Sequence, residues 1–350
     1  MSSLLKRKAE DDELTANKKN TGYSVWYMNK IKGMLYAIAI GDALGIPFEF
    51  KNSTPKLTYD PVLPDVDINI RFNQFHSVTM KSCSPSDDTE MTLALLFSLI
   101  ANRMKYVLSD TLLNYMKWAN QCSMLGKNTS KLLKGVTTIK GYTNRVEKMT
   151  KEKRATQSNG SLMRASPLAL MKDFSEDDIK LDVDITNPNS VNFACDCCFV
   201  RMLRCLLAGG SKEDCKSICR EFSAAGSGTP MEIRKCISDS FDKECKRDIS
   251  YKTNVKGWVG SSFYIALRAF WNFDTFSDAM RFVIESHPGS DTDTNASITS
   301  ALFGAWLGFD ALAQCSITKV NIEKMDRYWS TSASIYKLTP DLFARLQSVL

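Results

Sequence analysis

An all-α fold is what this sequence predicts, and three observations carry the prediction. Apolar residues recur at 3.6-residue spacing in segment after segment, alternating β-branched runs are scarce, and no Gly/Ser/Pro-rich linker divides the chain after residue 24. The expectation is a single, mostly helical domain over residues 24–350 behind a charged, flexible tail at residues 1–23.

The first stripe is Val25–Ile40, apolar at Trp26, Ile31, Met34, Leu35 and Ile38. The same spacing marks Thr89–Met104, Leu112–Ala119, Leu162–Met171, Val191–Ala208, Ser262–Trp271, Phe276–Glu285, Ala296–Ala313 and Pro340–Leu350 as helices. Between them, Thr54–Ser82 and Ser175–Ser190 read as long surface loops, being rich in Pro, Asp and Asn. No repeat of 20–50 residues is present.

Composition narrows the function classes. Among 350 residues, 44% are hydrophobic and 24% charged, the balance of a folded domain and not of a disordered chain. Lys and Arg total 45 against 39 Asp and Glu, a net +6 that reads as mild and spread along the chain. It permits an anionic ligand; nucleic acid is not indicated. The most apolar runs, Met91–Ala101 and Ala301–Phe309, fall short of the ~18 residues a membrane span needs, so no membrane is expected. The first 20 residues carry no apolar leader, which points to an intracellular, cytoplasmic protein, with Lys6-Arg7-Lys8 as a candidate nuclear address. Eleven cysteines then read as free thiols. Cys195 and Cys198 have the spacing of a zinc pair, but no second pair completes it and buried small hydrophobes are the simpler account.

Four segments could carry chemistry. Gly41–Glu49 (GDALGIPFE) ends a helix in a tight turn with Asp42 and Glu49 at its two ends. Pro85–Glu90 (PSDDTE) opens an apolar helix, with Asp87 and Glu90 at capping-box spacing. Gln157–Arg164 (QSNGSLMR) places small residues before a helix, where backbone N–H groups can meet an anion or a side chain can cap. Pro288–Asn295 (PGSDTDTN) repeats the carboxylate–hydroxyl theme of the second segment. Each is explained by helix capping when taken alone. Together, the carboxylates and hydroxyls of the second and fourth form an all-oxygen set suited to Mg²⁺ or Mn²⁺, if they converge. Like charges ~4 Å apart repel by about 4 kcal/mol at an effective dielectric of 20, so convergence demands a cation.

In this order the four segments resemble the ADP-ribosylglycohydrolase family, whose motifs are G-D-A-L-G-x-P-x-E, S/T-D-D-T-x-M, N-G-x-x-M-R-x-x-P and G-x-D-T-D-T. They stand here as Gly41–Glu49, Ser86–Met91, Asn159–Pro167 and Gly289–Thr294. Gly126-Lys127-Asn128-Thr129 resembles the family's G-x-x-T turn, and Gly257-Trp258-Val259 its helix lead. The resemblance implies a single orthogonal multi-helix bundle with a central di-metal cleft holding two Mg²⁺ or Mn²⁺ ions. It implies Ser86, Asp87, Asp88, Asp291, Asp293 and Thr294 as metal ligands, Asp293 bridging, and Glu49 as the catalytic acid or base. Gly126, Asn159, Gly160 and Ser161 would line the ADP-ribose groove, and Asp42 would hold the loop presenting Glu49. The implied activity is hydrolysis of the C1″ glycosidic bond of ADP-ribose on a protein side chain or small acceptor; a monomer is expected.

Three positions depart from the family pattern. Met124 stands where arginine-type members carry Asp, Asn187 follows Thr186 where His is common, and Ser158-Asn159-Gly160 replaces G-N-G. Met124 and Asn187 motivate the alternative of a weak or inactive ADP-ribose-binding member of the fold. A structural protein and a generic Mg²⁺ phosphohydrolase are further alternatives.

Overall fold

The chain is seen in a computed structural model, which describes residues 2–49, 59–73, 76–122, 125–242, 257–287 and 289–350. The side chains of residues 2–23, and with them the expected tail, lie outside that description, as does Met124. The elements run α1 (Ser2–Gly45), β1 (Ile68–Asn73), β2 (His76–Met80), α2 (Asp87–Ala101), α3 (Leu108–Gln121), α4 (Lys127–Leu133), α5 (Ile139–Glu147) and α6 (Lys151–Arg154). They continue as α7 (Glu176–Thr186), α8 (Ser190–Leu207), α9 (Lys212–Ser223), α10 (Met231–Phe241) and α11 (Val259–Asn272). The last are α12 (Phe276–Glu285), α13 (Thr292–Leu307), α14 (Phe309–Gln314), α15 (Ser316–Thr331) and α16 (Pro340–Val349). The fold is the expected all-α bundle, with one short antiparallel strand pair in which Ile68 faces Met80 and Ile70 faces Val78.

Helix α13 is the hub. It is buried on every side from Thr292 to Ala305, as a helix without a polar face must be. Against it lie α1, α11, α12 and α8. The stripe Ile31, Met34, Leu35 and Ile38 supplies the buried face of α1. Residues 24–48 also have the length and hydropathy of a membrane span, but 83% of that window is buried inside the fold. That stretch is core. The surface helix α12 takes the expected bounds: Thr275 caps it through the Asp278 amide, and Phe276, Ala279, Met280 and Val283 form its buried face.

Several expectations change. The stretch Thr54–Ser82, expected as a surface loop, carries the β1–β2 pair, and the helix expected at Ala296–Ala313 is divided at Gly308, φ 83°, between α13 and α14. The loop expected at Ser175–Ser190 contains α7, capped by Ser175 and carrying three acidic residues in its first turn, where they complement the helix dipole. Its acids hid a buried face of Ile179, Asp182 and Val183. The helix expected at Leu162–Met171 is instead two 3₁₀ turns, Leu162–Arg164 and Ser166–Leu170, because Pro167 cannot donate into an α-helical ladder.

The ten described cysteines are free, and seven of them are fully packed in the core. Cys198 and Cys219, on α8 and α9, bring their sulfurs to 3.7 Å. This is the expected use of cysteine as a small hydrophobe.

Candidate active site

Three chain segments meet at the N-terminal end of α13. At Gly45, the last residue of α1, a Cβ would lie 2.4 Å from the Asp293 Cα, so the two backbones touch where only glycine fits. The 3₁₀ turn Ile46–Phe48 then delivers Glu49 beside Asp293, and Thr292 Oγ1 donates to the Phe48 carbonyl at 3.4 Å. The second segment is the start of α2. Ser86 is its N-cap, and Asp42 reaches across from α1 to accept from the backbone amides of Ser86 and Thr89 at 3.0 Å and from the Thr89 hydroxyl at 2.6 Å. Asp42 is wholly buried and well supplied with donors, and it anchors the start of α2, not the expected loop that presents Glu49.

The carboxylates converge. Oxygens of Asp42, Asp88 and Asp293 fall within 4.8 Å of one another, and so do those of Glu49, Asp291 and Asp293. Asp293 belongs to both groups. The Asp88 Oδ2 accepts from Ser86 Oγ at 3.1 Å and from Thr294 Oγ1 at 3.2 Å, while its buried Oδ1 has no hydrogen-bond partner among the described residues. A buried carboxylate oxygen left bare is costly unless a cation or water meets it. Asp87 turns the other way and accepts from the Gly126 amide at 2.9 Å.

Crowding sets the electrostatics. Burial first, and then the charges of Asp42, Asp87 and Asp291, hold the Asp88 carboxyl far above the usual range. Burial, Glu49, Asp291 and Asp88 do the same to Asp293. Asp42 is pushed up to about 6 by burial, with the Thr89 and Ser86 donors pulling against it. Asp87 is pushed up to about 7 by burial, against the Gly126 amide and with the Asp42 and Asp291 charges. A cluster that resists ionisation this strongly is poised to exchange its protons for a divalent ion.

The cleft over these acids holds about 620 Å³ and is lined by Glu49, Asp87, Asp88, Asp291, Asp293 and Thr294 on one side. Gly126, Asn159 and Gly160 line the other. Asn159 is drawn in by a donation to Asp291 Oδ2 at 3.0 Å and another to Ser262 at 3.1 Å. Gly257, at φ 76°, sits so close that a Cβ would lie 2.7 Å from the same Asp291 oxygen. Two expected residues stand back from the cleft. Ser86 lies behind Asp88, and Ser161 is buried beneath the loop, where Asn192 Nδ2 donates to its hydroxyl at 2.8 Å.

The capping alternatives separate here. Asp291 is the N-cap of α13 but makes no side-chain cap bond, and Ser161 makes none before its 3₁₀ turn. The Asp87–Glu90 capping box does not form either. With Ser86 as N-cap, Glu90 falls one position too late and accepts from Trp118 Nε1 at 2.9 Å in a second cavity of about 430 Å³ behind Asp87.

The sequence missed the frame behind the groove. Arg164, fully buried, donates to Asp182 Oδ2 at 2.9 Å, the Thr186 hydroxyl at 2.8 Å and the Gly160 carbonyl at 2.6 Å. Asn187 does not line the cleft. It donates to the Thr156 carbonyl at 2.8 Å and the Ser158 hydroxyl at 3.0 Å, pinning the 156–158 backbone. Arg164 stood inside a quoted motif, but its partner Asp182 lay in the stretch read as loop.

Comparison with known proteins agrees with this architecture. The chain is 23% identical to an ADP-ribosylarginine hydrolase of Serratia proteamaculans (strain 568), over 90% of this chain and 81% of that one. It is 26% identical to a protein of Acanthamoeba polyphaga mimivirus provisionally described as an ADP-ribosyl glycohydrolase, over 85% of this chain and 93% of the relative. A solved structure described as an ADP-ribosylglycohydrolase-related protein complex matches with a TM-score of 0.58 at 20% identity, covering 85% of this chain and 97% of that one. The profile of the ADP-ribosylglycohydrolases, hydrolases of glycosidic bonds, matches residues 25–347, and the chain belongs to that family.

Proposed function

We propose that this chain is a Mg²⁺- or Mn²⁺-dependent hydrolase that frees ADP-ribose from a protein side chain or small acceptor. The observation that carries the reading is the convergence of Asp88, Asp291, Asp293 and Glu49 on one cleft, with the Asp88 Oδ1 bare. Asp88, Asp291, Asp293 and Thr294 offer only oxygen donors to the cleft, and such a set fits hard divalent cations. Bound there, such ions supply charge stabilisation and hold sugar hydroxyls.

The protein's own groups do the rest. The C1″–acceptor bond breaks, water oxygen bonds to C1″, and the acceptor leaves with a proton. Glu49, lining the cleft next to Asp293, holds or delivers that proton. Asn159 and Gly160 fix the groove that carries the nucleotide, with Arg164 bracing the Gly160 carbonyl from below. Met124 supplies no carboxylate for a guanidinium, which favours an acceptor other than arginine. Release of ADP-ribose from serine- and arginine-linked peptides, with EDTA and after Mg²⁺ is restored, tests this reading. Binding without release in every arm rejects it.

A further inference from the structure

The positive charge of this chain is not spread along it. Residues 127–154 hold nine Lys and Arg against two Glu, seven net positive charges where the whole chain carries six. The remainder of the protein is therefore net negative by one. That segment runs through α4, α5 and α6, and its first helix, α4, lines the candidate active site through Lys127, Asn128, Thr129 and Lys131.

The geometry joins the two features. The start of α4 is tied to the acids by the Gly126 amide on Asp87 Oδ2. Its seven residues then span roughly 10 Å away from them at 1.5 Å per residue. Lys127 and Lys131 line the cleft, and Lys131 also lines a second, open depression of about 500 Å³ with Asn144, Arg145 and Lys148. Arg145 clips the two helices together by donating to the Lys134 carbonyl at 2.6 Å, and Tyr142 anchors α5 to the Ile185 carbonyl at 2.7 Å. Lys140, Asn144 and Lys148 follow at four-residue spacing, so they share one face of α5. Among the described residues, none of Lys127, Lys131, Lys140 and Lys148 is in an ion pair with a carboxylate.

We propose that the cleft also receives ADP-ribosyl groups carried by a nucleic-acid strand, whose phosphates lie on this basic face. The proposal rests on the hydrolase reading and names a further substrate class for it. A phosphodiester strand supplies one negative charge per residue by its chemistry, whereas a protein would need an unusually acidic stretch to match a segment of net charge +7. Among the described residues no aromatic ring lines the depression, so the face offers phosphate contacts and no stacking platform for bases. Recognition is accordingly independent of base sequence.

The test uses the full chain and a Lys140→Gln/Lys148→Gln variant, both positions outside the cleft lining. A labelled single-stranded oligonucleotide and a polyglutamate of equal charge are titrated between 50 and 200 mM salt. The wild type is expected to prefer the oligonucleotide, and the variant to lower the salt slope by about 1.4, two phosphate contacts at ~0.7 each. On an ADP-ribosylated oligonucleotide the variant raises KM several-fold with kcat unchanged, while its turnover of an ADP-ribosylated peptide stays at the wild-type rate. Equal or better binding of polyglutamate, an unchanged slope, or no release from the oligonucleotide overturns the proposal. Peptide turnover reports on the hydrolase reading separately, so either can fail without the other.

Discussion

Thr294 donates its hydroxyl to Asp88 at 3.2 Å across 206 residues of chain. That contact ties the start of α13 to the start of α2 and makes one site of two acidic segments. Neither segment holds enough ligands for a metal pair alone.

Replacing Asp293 by Asn removes the one carboxylate common to both groups. Activity should fall by at least about a hundredfold, while the metal-free protein melts no lower than wild type because like-charge repulsion is relieved. Thermal melts with and without Mg²⁺ check this: the metal-induced rise in Tm should vanish.

Glu49→Gln keeps shape and loses the titrating oxygen. The reading expects kcat to drop about 10²- to 10⁴-fold with ADP-ribose affinity retained. Hydrolysis at the wild-type rate removes Glu49 from the mechanism.

Metal and protons compete for the same oxygens. Asp42 and Asp87 are held at about 6 and about 7, and burial and neighbouring carboxylates also push Asp88 and Asp293 well up, all above the unfolded carboxylate value near 4. Folded pKa values raised above the unfolded ones stabilise the metal-free fold at low pH, and that contribution is lost as pH rises through 6 to 7. The metal-free Tm should therefore fall between pH 5 and 8, and the gain from added Mn²⁺ should be larger at pH 8 than at pH 5.5. Scanning fluorimetry over that range, with a gain flat in pH, contradicts the assignment.

Gly257→Ala places a methyl against Asp291 at a positive φ. Backbone strain alone costs roughly 1–2 kcal/mol, and displacement of Asp291 should cut activity beyond what the lost stability explains. Comparing Tm with kcat/KM separates the two effects.

Arg164→Met leaves Asp182 as a buried charge without its ion-pair partner, although Tyr115 still donates to it at 2.8 Å. Chemical denaturation should show a loss of about 3–5 kcal/mol, the usual result of breaking one side of a buried pair.

Much of this was legible beforehand. The stripe at Ile31–Ile38 and the one on α12 announced their buried faces by period alone, and the four polar segments stood out because hydroxyls and carboxylates recur there beside helix ends. What the sequence could not supply was contact across distance. The Asp88–Thr294 bond and the touch of Gly45 on Asp293 depend on how α1 lies along α13, and no local spacing encodes that. The acids of α7 looked like a solvated loop because the buried member, Asp182, is indistinguishable by type from the exposed ones until Arg164 is seen beside it.

Direct titration of Mn²⁺ into the metal-free full-length protein, with the ion count read by calorimetry or electron paramagnetic resonance, addresses the central claim. Two ions per chain are expected for the wild type, with both sites lost or greatly weakened in Asp293→Asn. No binding, or the same stoichiometry and affinity in the variant, would mean that Asp88, Asp291 and Asp293 do not form the cation site on which the proposed hydrolysis depends.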